Sequence, residues 1–128
     1  MSTSYKPNRY NSVSPYLIVK GASDSIAFLK RVFGAVELRR FTDSAGRIMH
    51  AEVRIDDTVV MIAESVEGWP PVPAHVHIYV AEVDAIYQRA LEAGAVPVQA
   101  PVKQDDEDKR GGVKEAGGTT WWIATRVG

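Results

Sequence analysis

Asp24-Ser25-Ile26, followed after seven residues by Gly34-Ala35-Val36, returns as Asp84-Ala85-Ile86, followed after seven residues by Gly94-Ala95-Val96. A repeat at a spacing of 60 residues that keeps both the start and the stop of a helical stretch marks one supersecondary unit used twice. Each copy follows a short apolar run, Tyr16-Leu17-Ile18-Val19 in the first and Val76-His77-Ile78-Tyr79-Val80 in the second. Each leads into a hairpin-like stretch, Ala51 to Ala63 around Asp56-Asp57 and Val113 to Ala124 around Gly117-Gly118. One α+β domain over residues 1–128 is therefore expected, with unit one at about 12–64, a connection at about 65–74 and unit two at about 75–127. A pocket lined by equivalent positions belongs between the units.

Within each unit the helical and strand periods separate. Ile26, Leu29, Val32 and Phe33 share one helical face, with Ser23 or Asp24 as the expected N-cap and Gly34 as the stop. Val83, Ile86, Tyr87, Ala90 and Leu91 repeat that stripe before Gly94. Both stripes predict helices packed on a sheet. Val36 to Thr42 and Val96 to Ala100 read as the following strands, and Pro97 predicts an edge position for the second. Trp69, Pro70, Pro71 and Pro73 make the connection stiff. Lys103 to Gly112, charged and glycine-containing, predicts a mobile loop over the pocket mouth. Its run Asp105-Asp106-Glu107-Asp108 lacks the ligand ladder of a calcium loop and reads as solvated.

Alternation then assigns faces. A two-residue turn at Asp56-Asp57 pairs Ile55 with Thr58, Val53 with Val60 and Glu52 with Met61. Ala51, Val53, Ile55, Val60 and Ile62 then face the helices, leaving His50, Glu52, Arg54, Val59, Met61 and Ala63 on the other side. A turn at Gly117-Gly118 pairs Glu115 with Thr120 and Val113 with Trp122. Ser14, Tyr16, Ile18, His75, His77 and Tyr79 likewise point away from the core. A mixed polar and aromatic face opposite an apolar one suits a ligand-facing cup, and equally a solvent-facing sheet.

Composition narrows the partners. Fifteen basic and 16 acidic residues give a net charge of -1, with no electrostatic footprint for nucleic acid or an anionic membrane. No apolar run approaches the roughly 18 residues of a membrane span, and the polar start Met1 to Asn11, expected to be a loose tail, lacks a signal peptide's apolar segment. The absence of cysteine fits a reducing cytoplasm. A small molecule and a second copy of the chain are the expected partners.

The tandem units, together with Pro15-Tyr16-Leu17-Ile18-Val19, Met49-His50-Ala51-Glu52 and Trp121-Trp122-Ile123-Ala124-Thr125, resemble the vicinal oxygen chelate superfamily over about residues 12–127. Within it the chain is most similar to the glyoxalase/bleomycin-resistance branch called PhnB-like. The resemblance implies two βαβββ units whose strands curl into an open cup with helices on its outer face, commonly in a homodimer. It also implies one of two kinds of function. The superfamily holds metal-dependent isomerases, epimerases, extradiol dioxygenases and fosfomycin-modifying transferases, and it holds binding proteins of the bleomycin type that do no chemistry. One departure is local: Glu115-Ala116-Gly117-Gly118 stands where relatives commonly carry an Asp-Pro-Phe-Gly-like turn.

In the metal enzymes of the superfamily, ligands lie on the first and last strands of each unit. The resemblance carries those places onto Ser14, Met61, His75 and Trp122. Ser14 and His75 stand 61 positions apart, as do Met61 and Trp122, so the repeat supports the placement. Only His75 is a competent donor, whereas a divalent site usually needs about three from His, Glu, Asp or Cys. A displaced site remains open, since His50, Glu52, His75 and His77 share the cup-facing parity. The same residues read equally as polar pocket lining.

Three functions therefore compete. The first is metal-independent binding of a flat or aromatic molecule by Tyr16, His50, Glu52, Met61, His75, His77, Tyr79 and Trp122, with Trp69 at the rim, and no cofactor. The second is a metal-dependent lyase, isomerase or dioxygenase built on displaced ligands around His75 and Glu52. The third is a dimer without chemistry of its own. Catalytic candidates are His75, His50 and Glu52, with Glu115 as a further carboxylate for proton transfer.

Overall fold

The computed structural model describes residues 5–128. The chain runs β1 (Tyr16–Val19), α1 (Ala22–Phe33), β2 (Val36–Thr42), β3 (Ile48–Ile55), β4 (Thr58–Glu64), β5 (Ala74–Tyr79), α2 (Val83–Glu92), β6 (Val96–Lys103), β7 (Asp108–Lys114) and β8 (Thr119–Arg126). This is βαβββ twice. The strands form two four-stranded sheets of the same order, β1-β4-β3-β2 and β5-β8-β7-β6, each with one parallel pair, β1 with β4 and β5 with β8. Strand β6, which holds Pro97, is an edge, where a missing N–H costs no ladder bond. Among the described residues no helix is long and apolar enough to cross a membrane.

Each helix covers one face of its sheet, and the two helices meet. Leu17, Val19, Ile26, Leu29, Val32, Val53, Ile62, Val113, Trp121 and Ile123 lie in one buried cluster spanning both units. Phe33 and Trp121, 5.0 Å apart between ring centroids, join α1 to β8. Arg89 of α2 donates to the carbonyl of Val32, and Ser25 donates to both oxygens of the buried Glu115 carboxylate at 3.0 and 3.1 Å. Among the described residues, the opposite face of each sheet carries no helix.

Four expectations need correction. Helix α1 begins at Ala22 with Gly21 in the left-handed region at its cap, so neither Ser23 nor Asp24 caps it. The carboxylate of Glu64, at the end of β4, instead accepts the N–H groups of Gly21 and Ala22 at 2.9 and 2.8 Å. It is a cap supplied from about forty residues away, which no local rule detects.

The β7–β8 turn is longer by one residue than a two-residue hairpin. Glu115 N–H bonds Thr119 O, Gly118 N–H bonds Glu115 O, and Gly118 lies at φ +101. A three-residue loop closing on a left-handed glycine moves the register by one and exchanges the faces. Val113 therefore pairs with Trp121 and Gly112 with Trp122. Val113 and Glu115 go into the core, at 0% and 4% exposed, and Glu115 leaves the set of proton-transfer candidates.

Most of Lys103 to Gly112 is strand rather than loop, because Asp108 and Arg110 alternate onto the open face and find partners there. The acidic run is only partly solvated, since Asp108 is 5% exposed.

Tyr5 to Asn11, expected to be loose, are pinned to the first sheet through Arg9, Tyr10 and Asn11. Met1 to Ser4 lie outside the described residues.

Candidate functional site

The first sheet's open face centres on Glu52. Register places it opposite Met61 on β4 and Arg39 on β2, as expected for the first pair. Its carboxylate is 6% exposed and fully partnered. Oε1 accepts from the Tyr10 hydroxyl at 2.5 Å and pairs with Arg39 Nε at 3.2 Å, while Oε2 meets His50 Nε2 at 2.7 Å. Burial pushes this carboxyl's pKa up, but the bonds from Tyr10 and His50 and the charge of Arg39 outweigh it and hold the group below its usual range. An ionised carboxylate only accepts, so His50 donates from Nε2. In the neutral ring Nδ1 is then the acceptor that faces the Tyr16 hydroxyl, 3.1 Å away. Tyr16, Met49 and Trp69 line a neighbouring cavity of about 170 Å³ that also touches Ile18 and Ala63.

The second sheet's open face carries a different cluster. Trp122 donates its indole N–H to His75 Nδ1 at 3.0 Å, and the two rings lie within 11° of parallel. The indole lies over Gly112, where a β-carbon would sit 2.6 Å from Cζ3, so only glycine leaves room for it. Beside it Arg110 Nε donates to His77 Nε2 at 3.1 Å, and Arg110 Nη2 and the Tyr79 hydroxyl each donate to Asp108 Oδ2 at 2.7 Å. Burial and the Arg110 charge both lower the pKa of His77, and the Asp108 bond raises that of Tyr79. Because the indole and the guanidinium can only donate, His75 Nδ1 and His77 Nε2 are both acceptors.

These donor roles test the positions that the resemblance assigns to a metal. The lone pair of His75 Nδ1 is engaged by Trp122, and that of His77 Nε2 by an arginine whose charge repels a cation. Ser14 Oγ accepts from Asn11, and Met61 and Trp122 offer no hard donor. Glu52 is already paired with Arg39. The residues present do not fit a divalent ion. His50 and Glu52 stand on the first sheet and His75 and His77 on the second, and among the described residues no three His, Asp or Glu side chains gather as a metal site.

Tyr10, Arg39, Asp108 and Arg110 are site-facing residues that the sequence reading missed. A bulge between Glu37 and Arg39 sets Arg39 opposite Glu52, and the unbroken β7–β8 register set by the three-residue turn puts Arg110 on the open face beside His77. A second cavity of about 330 Å³ opens between the β3–β4 turn and β5, over Ile55, Asp57, Val76 and Trp121.

A sequence model of the family described as Glyoxalase/Bleomycin resistance protein/Dioxygenase superfamily matches residues 9–123. An uncharacterized protein of Mycobacterium bovis is 36% identical over 127 residues, covering 91% of this chain and 84% of its own. Among solved structures, the PhnB protein from Bacillus cereus, described as a putative 3-demethylubiquinone-9 3-methyltransferase, superposes with a TM-score of 0.72 at 14% identity, over 90% of this chain and 99% of that one. TnmS3, an antibiotic binding protein from Streptomyces sp. CB03234, does so with a TM-score of 0.68 at 17% identity, over 91% and 99%. At such identities the structures share the fold.

Proposed function

The chain belongs to the Glyoxalase/Bleomycin resistance protein/Dioxygenase superfamily, and from that premise we propose that it binds a small planar organic molecule in a cup without a metal ion. The observation that carries this is the seat of Trp122, whose indole covers Gly112 and takes the lone pair of His75, the one competent donor among the four family positions. A flat aromatic wall with histidines at its edge stacks planar ligands at small entropic cost. TnmS3, of the same fold, is described as an antibiotic binding protein, which supports a ligand of that kind here. The PhnB-like branch is part of the proposal, supported by the motifs at 15–19, 49–52 and 121–125 and by the shared fold.

The cup is closed by a second copy. The two open faces belong to separate sheets and carry exposed Tyr16, Phe41 and Tyr79. Laying the first sheet of one chain against the second sheet of its partner covers both. A cytoplasmic location is part of the proposal, and the absence of cysteine is compatible with it.

The test is quenching of tryptophan fluorescence by a planar quinone, 1,4-dihydroxyanthraquinone, with chelator present. Saturable quenching that is lost in Trp122→Ala is expected. Quenching that requires an added divalent ion, or none at all, overturns the proposal.

A further inference from the structure

The buried Glu52 carboxylate on the first open face is met by a side chain from outside the sheet. Tyr10 reaches Glu52 from the segment before β1 and places its hydroxyl 2.5 Å from Oε1. The Arg39 guanidinium lies over its ring, 6.0 Å from the centroid. The segment is held at three further points. Arg54 donates to the carbonyl of Arg9, which has a positive φ of 66. Asn11 Oδ1 accepts the Val59 N–H at 2.9 Å, and Asn11 Nδ2 donates to Ser14.

We propose that Glu52 and Arg39 form a phenol-binding subsite, that Tyr10 fills it as a tethered surrogate, and that the protein's ligand carries a phenolic hydroxyl that displaces Tyr10. The chemistry of the two groups selects this class. A buried carboxylate needs donors, and an acidic O–H gives it a short, charge-assisted bond. A guanidinium over the ring face attracts a flat π system. A ligand carboxylate or phosphate would meet the Glu52 charge, and a ligand ammonium would meet Arg39. A phenol satisfies both and adds no charge. The Tyr10 pKa is raised, first by its bond to Glu52 and then by burial, so the phenol stays protonated and able to donate.

A tethered surrogate competes at high effective concentration, so a free phenol alone binds weakly to the native chain. A ligand with further stacking surface in the cup can displace it. The segment thereby screens ligands, admitting those that pair a phenol with a second planar contact.

Because the cup is itself proposed, the subsite rests on that reading, and the test isolates it. The probe is p-cresol, the side chain of tyrosine, titrated into the full-length Tyr10→Ala variant and the native chain by calorimetry, with 4-methylanisole as the probe lacking the O–H. The variant is expected to bind p-cresol at least tenfold more tightly than the native chain, to bind 4-methylanisole at least tenfold more weakly than p-cresol, and to lose p-cresol binding when Glu52→Gln is added. Should Tyr10→Ala fail to fold, Tyr10→Phe removes only the anchoring hydroxyl, and p-cresol is expected to bind it at least threefold more tightly than the native chain. Equal p-cresol affinity in variant and native chain, equal affinity for the two probes, or no binding by a folded variant overturns the subsite. Intact quinone quenching beside such a failure removes the subsite alone, whereas p-cresol binding without quinone quenching removes the cup alone.

Discussion

Trp122 donates its indole N–H to His75 Nδ1 across 3.0 Å, and the same ring covers Gly112. The bond fixes His75 as the Nε2–H tautomer and uses the lone pair that an ion would need. The seat of Trp122 over Gly112 and the engagement of His75 are thus one arrangement, set by an indole over a glycine.

Gly112→Ala tests that arrangement. The added β-carbon falls 2.6 Å from the indole, so the ring must leave its seat. The expected result is a stability loss of about 1–3 kcal/mol by urea denaturation, loss of the His75 tautomer signature in nitrogen NMR, and weaker quinone quenching. An unchanged His75 signal contradicts it.

Gly117 supports the core from the other side. A β-carbon there meets Ser25 Oγ at 2.4 Å and Glu115 Oε1 at 2.5 Å, groups that bond each other inside the core. Gly117→Ala and Ser25→Ala each disturb a buried carboxylate and are expected to cost about 1–3 kcal/mol. Chemical denaturation of the two single variants and the double variant should show losses that do not add, because both act on Glu115.

Glu52→Gln removes the charge that orders Tyr10, His50 and Arg39, and is expected to cost about 1.5–3 kcal/mol at neutral pH. Its pH dependence has a definite sign. The folded pKa of Glu52 is depressed, so its contribution is whole above the ordinary carboxylate value of about 4.3 and is lost as pH falls through the lower folded value. His77 is depressed too, and its contribution is whole above about 6.5 and declines on acidification. Tyr10 is raised, so its contribution holds below about 10 and fades as pH rises through the folded value. Denaturation midpoints of the native chain and Glu52→Gln across pH should converge in acid, and a constant gap contradicts the assignment.

Closure of the cup by a second copy predicts sedimentation at twice the chain mass. Tyr79 is 62% exposed on the second open face, and Tyr79→Arg adds charge there while giving up the bond to Asp108. The variant is expected to sediment as a folded monomer, with a melting midpoint lowered by loss of the partner. A dimer that survives it locates the interface elsewhere.

The repeat at Asp24 and Asp84, the two helical stripes and the hairpin at Asp56-Asp57 made the fold legible, because each rests on local periodicity that tertiary contacts reinforce. The second hairpin was misread because Gly117-Gly118 suits a two-residue turn, while Gly118 alone takes the left-handed position of a longer loop. That single residue moved Glu115 into the core and put Trp122 over Gly112. Alternation at His50, Glu52, His75 and His77 gives the face of a sheet and not which sheets adjoin, so it left their grouping open, and the two pairs stand on separate sheets. Tyr10 was invisible to any periodicity, because a segment without regular structure is held only by what it meets.

The most direct test of a metal-free cup is a thermal-shift titration of chelator-stripped protein with nickel, zinc, cobalt, manganese and ferrous ions, run beside His75→Ala. Binding to the native state raises the midpoint by mass action. No saturable rise with any ion, and the same profile in the variant, is the predicted result. A saturable rise in the native chain that disappears in His75→Ala contradicts it, and would mean that an ion outcompetes Trp122 for the imidazole.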